Sequence, residues 1–135
     1  MNPEKEPLLL FETRGRVIVG TVAASSVLST INVAEFGDEV LTYIQGKEKV
    51  NLLLNFARVD YLSSAVLTEL LRIKKAVDAQ SGHLRLCGMS ATLREVFEIT
   101  NLDTVFILHS DGVDEDLTRF ERALDVAAEE AEWGN

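Results

Sequence analysis

The stretch VNLLLNFARVDYLSSAVLTELLRIKKAVDA, residues 50–79, decides the fold. Its beginning, Val50 to Phe56, is a short and mostly apolar run, which is typical of a central β-strand covered on both faces. From Leu62 to Ala79 the apolar residues recur at helical spacing. The apolar face predicted for this helix comprises Val66, Leu67, Leu70, Leu71, Ile73 and Val77. A buried strand that leads directly into an amphipathic helix indicates a strand–helix–strand unit.

The chain on either side repeats this alternation of short apolar runs and amphipathic stretches. Four further strands are predicted at Leu8–Thr13, Arg16–Val22, His83–Cys87 and Val105–His109. Three further helices are predicted at Ala34–Gln45, Ser90–Thr100 and Asp114–Ala128. Gly15 suits the turn of an antiparallel hairpin between the first two strands, and residues 23–32 are predicted to form a loop. The order predicts an α/β fold with a mixed, mostly parallel sheet of about five strands and about four helices.

For two of these helices the sequence also predicts where they begin or end, or which side faces inward. The helix after the fourth strand begins either at a Ser90 cap or at a capping box of Thr92 and Glu95, and Asn101 is a natural left-handed stop. The last helix has acidic residues in its first turn, where the helix dipole favours them. Its inward side is predicted to comprise Leu117, Phe120, Leu124 and Ala127.

The chain length indicates the number of domains, and the net charge indicates which partners are disfavoured. The 135 residues fit a single domain of residues 1–135, with a core of about residues 8–127 and flexible ends. Thirteen basic and 22 acidic residues give a net charge of −9, which disfavours binding to nucleic acid or to an anionic membrane. The acidity either serves solubility or complements a basic partner. No apolar run approaches the roughly 20 residues of a membrane span, and residues 1–7 do not resemble a secretory signal.

The chain contains few cysteines and histidines with which to catalyse a reaction or bind a metal. The single cysteine, Cys87, has apolar neighbours and is predicted to be a buried structural thiol, which favours a reducing cytoplasm. His83 and His109 are well separated and offer no metal-ligand spacing. The sequence contains no Gly-rich phosphate loop and no Gly-x-Ser-x-Gly motif. We therefore predict no catalytic residue, no metal site and no cofactor.

One segment, VDYLSSAVL at residues 59–67, has the features of a functional site. It joins the central strand to the best helix, at the end of a strand where α/β folds expose functional groups. Ser63 suits the N-cap, with Leu62 and Leu67 placed as a hydrophobic staple, so Ser64 becomes the first helical residue. The serines either simply start the helix, or expose a hydroxyl to a kinase where a phosphate is well tolerated. A catalytic serine is a third interpretation, although no base is evident beside it.

This segment resembles the STAS domain family, in particular the bacterial anti-sigma-factor antagonists. In that family a central strand ends in a pattern like Val-x-Phe-Met-Asp-Ser-Ser-Gly-Leu, onto which residues 59–67 fall without a gap. The stretch from Glu98 to Phe106 resembles the family's helix end and next strand, and the similarity runs from about Leu8 to Ala127. The resemblance implies a STAS-like fold and a regulatory protein that binds partners and catalyses no reaction.

Family members of this type bind an anti-sigma factor, often a serine kinase of the histidine-kinase ATPase fold. Phosphorylation of the serine at the helix start then ends the interaction. By resemblance this serine is Ser64, with Ser63 as the second candidate for phosphorylation. The family's Asp falls on Ser63, its next Ser or Thr on Ala65 and its Gly on Val66, which is expected to make the surface bulkier. The residues expected to contact the partner are Asp60, Ser63, Ser64, Ala65 and Thr68.

Two other functions remain open at this point. A STAS domain can act as a scaffold in larger signalling complexes or beside a transporter, without a phosphoswitch. A small enzyme with Ser63 or Ser64 as its nucleophile is the third possibility. A neighbouring gene for an ATPase-fold kinase would favour the antagonist, a neighbouring transporter subunit the scaffold, and labelling by a fluorophosphonate probe the enzyme. The sequence alone identifies neither the partner nor the oligomeric state.

Overall fold

A computed structural model describes residues 8–23 and 33–133, and within them a five-stranded sheet is flanked by four α-helices. The strands are β1 (Leu9–Arg14), β2 (Val17–Val22), β3 (Asn51–Asn55), β4 (His83–Cys87) and β5 (Ile107–Leu108). The helices are α1 (Val33–Ile44), α2 (Ser64–Ala79), α3 (Ala91–Ile99) and α4 (Val113–Trp133). The order predicted from the sequence is confirmed. The loop predicted at residues 23–32 lies, apart from Ala23, outside the described residues, as do both chain ends.

The sheet is mixed, with strand order β1-β2-β3-β4-β5. Only β1 is antiparallel to its neighbour, and the tight turn between β1 and β2 uses Gly15 at a φ of +64°. The pairs β2–β3, β3–β4 and β4–β5 are all parallel. The C-terminal ends of β2 to β5 therefore meet at one edge of the sheet, which we call the carboxyl edge. Helices α2, α3 and α4 begin just beyond this edge.

Two apolar clusters cover the two faces of the sheet. Leu52 and Leu54 of β3 belong to the main cluster, under α1, α2 and α3, while the intervening Leu53 belongs to a second cluster. The buried residues of the second cluster are Val17, Val19, Leu53, Cys87 and Phe120, of which Phe120 belongs to α4. Because all three leucines of β3 are buried, the prediction of a central strand covered on both faces is confirmed.

The predicted apolar face of α2 is right at five of its six residues. Leu70, Ile73 and Val77 are completely buried, and Val66 and Leu67 are also in the core. Leu71 was expected on that face, and this expectation is wrong, because 40% of its surface is exposed. At about 100° of rotation per residue, Leu71 lies outside the arc of helix surface that the other five residues occupy, so its side chain reaches solvent.

The structure decides the open question about the start of α3. Ser90 is its N-cap, and the Ser90 Oγ accepts a hydrogen bond from the Leu93 N–H at 3.2 Å. Asn101 adopts the expected left-handed conformation, with a φ of +60°. The next strand is shorter than the predicted Val105–His109. The N–H groups of Val105 and Phe106 both donate to the Leu102 carbonyl at 3.0 Å, which closes a turn and removes both residues from the sheet.

Helix α4 differs from the prediction in length and in part of its inward side. It runs from Val113 to Trp133, whereas an end at Ala128 was predicted. Phe120 is buried, and Leu117 and Leu124 pack against it. Ala127 is exposed rather than inward, because α4 beyond Leu124 has passed the apolar cluster that covers the sheet.

Candidate partner-binding site

The segment between β3 and α2 presents two exposed side chains between two buried ones. The Val59 N–H donates to the Phe56 carbonyl at 2.9 Å, which closes a turn just after β3. The side chains of Val59 and Leu62 are buried in the main core. Asp60 and Tyr61 lie between them and are exposed, Tyr61 by 63%. The buried residues therefore hold the segment in place while Asp60 and Tyr61 face solvent.

Further contacts attach this segment to the ends of neighbouring strands. The Arg58 Nη1 donates to the Ala23 carbonyl, just after β2, at 3.0 Å. The Asn55 Oδ1 accepts a hydrogen bond from the Ala57 N–H, also at 3.0 Å. Gly88, just after β4, packs so closely on both residues that a Cβ there would overlap them. The segment that leads to α2 is thus held in place by contacts with the residues after β2 and after β4 at the carboxyl edge.

Ser63 caps α2, as the sequence predicts. It has extended backbone angles, and its Oγ accepts a hydrogen bond from the Val66 N–H at 3.4 Å. Leu62 and Leu67 are both in the main core, as the predicted hydrophobic staple requires. The first turn of α2 has no acidic residue, so no carboxylate of that turn offsets the positive end of the helix dipole.

Ser64 is the first residue of α2, and its side chain is exposed. The Thr68 hydroxyl donates to the Ser64 carbonyl at 3.3 Å, so the two residues lie one helical turn apart on the same face. Ala65 is half-buried beside them. The structure therefore places Ser63, Ser64, Ala65 and Thr68 together at the start of α2, with Asp60 on the segment that leads to it. Ser64, Ala65, Thr68 and the preceding Asp60 and Tyr61 are here called the α2 surface.

Sequence analysis missed two exposed residues next to this site. Leu71 continues the face of Ser64 and Thr68, a relation that the i, i+4, i+7 spacing could have revealed. Tyr61 carries no such signal, because nothing in its spacing distinguishes it from the buried Leu62. One expectation about the surface is wrong. Val66 is completely buried and faces the core, so it cannot enlarge the surface around Ser64.

The other residues with reactive side chains lie elsewhere. Cys87 is buried, as predicted, and burial together with the negative charge of Asp116 raises the pKa of its thiol to about 12. His83 begins β4, at the end of the strand away from the carboxyl edge, and His109 follows β5. Among the described residues, no hydrogen bond joins either histidine to a serine of the site, and no group of three or more His, Cys, Asp or Glu could hold a metal ion.

Comparison with known proteins identifies the family. A sequence model of the STAS domain matches residues 10–116. The chain belongs to the STAS family. A relative of the chain is BtrV from Bordetella bronchiseptica, which is named as a candidate anti-sigma factor antagonist. It is 31% identical to this STAS protein over 80 residues, which are 59% of this chain and 68% of BtrV. The resemblance to the antagonist type of STAS domain is thereby confirmed.

Solved structures confirm the STAS fold. An anti-sigma-factor antagonist (STAS) domain protein from Planctomyces limnophilus superimposes with a TM-score of 0.74 at 21% identity, covering 84% of this chain and 97% of that one. The Bacillus cell fate determinant SpoIIAA in its phosphorylated form gives a TM-score of 0.62 at 22% identity, covering 82% of this chain and 97% of that one. None of the helices in the described part of this STAS protein is long and apolar enough to cross a membrane.

Proposed function

We propose that this STAS protein is a bacterial, cytoplasmic anti-sigma factor antagonist that binds its partner through the α2 surface. The partner is an anti-sigma factor that is also a serine kinase of the ATPase fold. Binding keeps the anti-sigma factor away from its sigma factor, and phosphorylation of Ser64 ends the binding. The protein works by association and catalyses no reaction itself. The family and the antagonist relative BtrV support this proposal.

The observation that carries the proposal is the difference between the two serines. The Ser63 hydroxyl is engaged with the Val66 N–H and belongs to the helix cap. The Ser64 hydroxyl makes no hydrogen bond to any residue in the described part of the chain, and its side chain faces solvent. Ser63 also fulfils the capping role that suits the Asp of the family pattern at this position. Ser64 is therefore the serine that a kinase can reach without disturbing the helix.

A phosphate on Ser64 would change the complex rather than the fold. It adds about −1.5 to −2 charges at neutral pH. Within this protein the charge meets the positive end of α2, which has no carboxylate in its first turn, so the helix tolerates it. In a complex the same charge would be buried in a packed interface, and an uncompensated buried charge costs several kcal/mol. Binding is then lost while the domain stays folded.

The α2 surface also offers groups suited to tight binding. Tyr61 is a large exposed aromatic residue with a polar hydroxyl, and tyrosine is among the residues that most often dominate interface energies. Exposed Leu71 extends the surface along α2 by one further turn. Tyr61, Ser64, Thr68 and Leu71 thus form the centre of the proposed interface, with Asp60 at its margin.

The first test asks which serine is modified and how the modification affects binding. Wild type, Ser64→Ala and Ser64→Asp serve as baits in the source cell lysate, and the captured kinase is then incubated with each variant and ATP. We expect phosphopeptide mapping to find the phosphate on Ser64. Ser64→Ala should capture the kinase but resist modification, and Ser64→Asp should not capture it. Modification confined to Ser63, or none at all with a kinase that binds well, would contradict the proposal.

The second test asks whether the partner sits on the α2 surface. Thr68 has a matched control in Thr118 of α4, because both are exposed and both donate their hydroxyl to the carbonyl four residues earlier. Thr68→Glu should weaken binding to the captured kinase by more than tenfold, or about 1.4 kcal/mol. Thr118→Glu should leave the affinity unchanged. Equal affinities of Thr68→Glu and wild type would place the partner elsewhere.

A further inference from the structure

Helix α4 is held to the sheet by a small apolar contact and by surface ion pairs of Arg14 with Asp114 and of Arg16 with Glu121 and Asp125. Such exposed ion pairs contribute little to stability, so the apolar contact decides how firmly α4 is held. Phe120 is its one completely buried apolar residue in the described part of the helix, and Val113, Leu117 and Leu124 are only partly buried beside it. By contrast, α1, α2 and α3 share the large main cluster. Elements with few buried apolar contacts open at lower free energy than the rest of a domain. Helix α4 is thus the element best placed to separate from the sheet on its own.

The start of α4 buries a carboxylate in an unusual way. Asp116 is completely buried, and no other polar or charged residue that the structure describes is buried. Neither of its side-chain oxygens accepts a hydrogen bond from any residue that the structure describes. Burying an unpaired carboxylate is costly, and such a group usually remains neutral or is paired. No part of the proposed partner switch uses this residue.

Charged groups from several elements surround Asp116. His109, after β5, lies with its Nε2 3.2 Å from the Asp116 Oδ1, but without the alignment of a hydrogen bond. The same Nε2 lies 3.4 Å from the Nη1 of Arg85 on β4, so Arg85 and Asp116 compete for one ring nitrogen. On α4 itself, the Arg119 Nη1 lies 3.9 Å from the Asp116 Oδ1, but Arg119 is paired with Asp111 in the preceding loop.

These groups act on the Asp116 pKa in opposite directions. Burial is the largest influence and raises the pKa from its ordinary value of 3.8. The positive charges of His109, Arg85 and Arg119 lower it, and the negative charge of Asp111 raises it. The effect of burial is larger than that of the positive charges, so the Asp116 pKa is raised overall. The charge of the Asp116 carboxylate also raises the pKa of the Cys87 thiol on β4.

We propose that α4 is a lid that opens as a unit from the face of the sheet that the second cluster covers. In the closed lid the buried Asp116 carboxyl keeps its proton, and the open lid releases that proton. Opening transfers the carboxylate to water, where it no longer needs the proton. Because the open state binds one proton fewer, opening becomes more favourable as pH rises. The opening constant rises by at most tenfold per pH unit, since one proton is linked. This lid is independent of the partner switch at Ser64.

Opening can be measured with a group that the protein already contains. Cys87 lies in the second cluster with Phe120, and the chain contains one cysteine. Lifting α4 uncovers this thiol without unfolding α1, α2 or α3. The probe is 4,4′-dithiodipyridine, which reacts with thiols from acidic to neutral pH. At each pH the rate for the native protein is divided by the rate for the protein unfolded in urea, which cancels the intrinsic reactivity of the thiol.

We expect the opening that exposes Cys87 to occur more often than global unfolding. Its opening constant should depend little on urea at low concentrations. The opening constant should rise with pH above the ordinary carboxyl range. Asp116→Asn should remove this pH dependence and lower the opening constant at neutral pH relative to wild type. The matched control is Asp114→Asn, because Asp114 lies in the same turn but is exposed and paired with Arg14 at 2.9 Å. It should leave the pH dependence intact.

Two results would overturn the inference. If Cys87 reacts only at the rate of global unfolding, which urea titration measures separately, α4 does not open as a unit. If Asp116→Asn keeps the wild-type dependence on pH, the proton is not held at Asp116. The pH dependence remains informative even where the amide of the variant changes the overall stability, because a purely structural effect shifts opening equally at every pH.

Discussion

Two neighbouring leucines on α2 give the sharpest test of which face of this helix is buried. Leu70 is completely buried in the main cluster, whereas 40% of Leu71 is exposed. Replacing Leu70 by alanine removes three buried carbons, which costs about 2–2.5 kcal/mol in transfer free energy at about 0.8 kcal/mol per carbon. The cavity left in the core adds to this, so Leu70→Ala should cost about 3–5 kcal/mol.

The matched substitution Leu71→Ala removes the same atoms from the solvent side. Water fills the space, so no cavity forms, and the higher helix propensity of alanine offsets a few tenths of a kcal/mol. We expect a cost of at most about 1 kcal/mol, well below that of Leu70→Ala. Leu71→Ala should instead weaken capture of the partner, because Leu71 lies on the extension of the α2 surface.

Urea unfolding followed by circular dichroism measures both effects. With a slope of about 1–3 kcal/mol per molar urea, a loss of about 3 kcal/mol lowers the midpoint by about 1–3 M. Leu70→Ala should show this shift and Leu71→Ala should show little. The orientation of α2 would be refuted if Leu70→Ala unfolded within about 1 kcal/mol of wild type, or if the two variants lost equal stability.

Three further expectations concern the cap, the buried carboxylate and one glycine. Ser63→Ala should lower the free energy of unfolding by about 0.5–1 kcal/mol through loss of the cap, while Ser64→Ala should leave it unchanged, as paired urea titrations will show. Because the pKa of Asp116 is raised, its contribution to stability is present below pH 3.8 and is lost as pH rises through the raised value. Asp116→Asn should therefore gain stability relative to wild type as pH rises, and thermal midpoints that run parallel at all pH values would contradict this. Gly88→Ala should lower the free energy of unfolding by more than about 1 kcal/mol, because Gly88 has a φ of +69° and a Cβ would lie 2.6 Å from the Asn55 Oδ1. A urea midpoint equal to that of wild type would show that the loop accommodates the Cβ.

The fold was largely predictable because its periodic patterns are strong. The three leucines of β3 and the apolar face of α2 predict the central strand–helix unit, and His83–Cys87 is predicted to the residue. The exceptions have local physical causes. The turn at Leu102 removes Val105 and Phe106 from β5, and hydrogen bonds of this kind leave no trace in an apolar run. Leu71 lies at the margin of the apolar face of α2, and an apolar residue at such a margin is readily assigned to the buried side.

The candidate site was predictable in its position but not in its details. The serine pair, its cap and its staple follow from the local pattern at residues 62–67. Which residues surround the serines depends on the loop from β3, where Tyr61 is exposed and Leu62 is buried. The Asp116 cluster lay beyond sequence reasoning, because an acidic residue in the first turn of a helix is ordinarily exposed. Only the packing of α4 on β4 brings Asp116 towards His109 and Cys87.

The most direct test of the central claim compares one protein in two states. The kinase captured by wild-type bait is titrated calorimetrically with the unmodified protein and with protein phosphorylated on Ser64, in the absence of ATP. We expect the phosphorylated protein to bind at least about a hundredfold more weakly, or about 2.7 kcal/mol, while it melts at the wild-type temperature or slightly above. Equal affinities would contradict a switch at the α2 surface, as would a weaker affinity explained by loss of the fold.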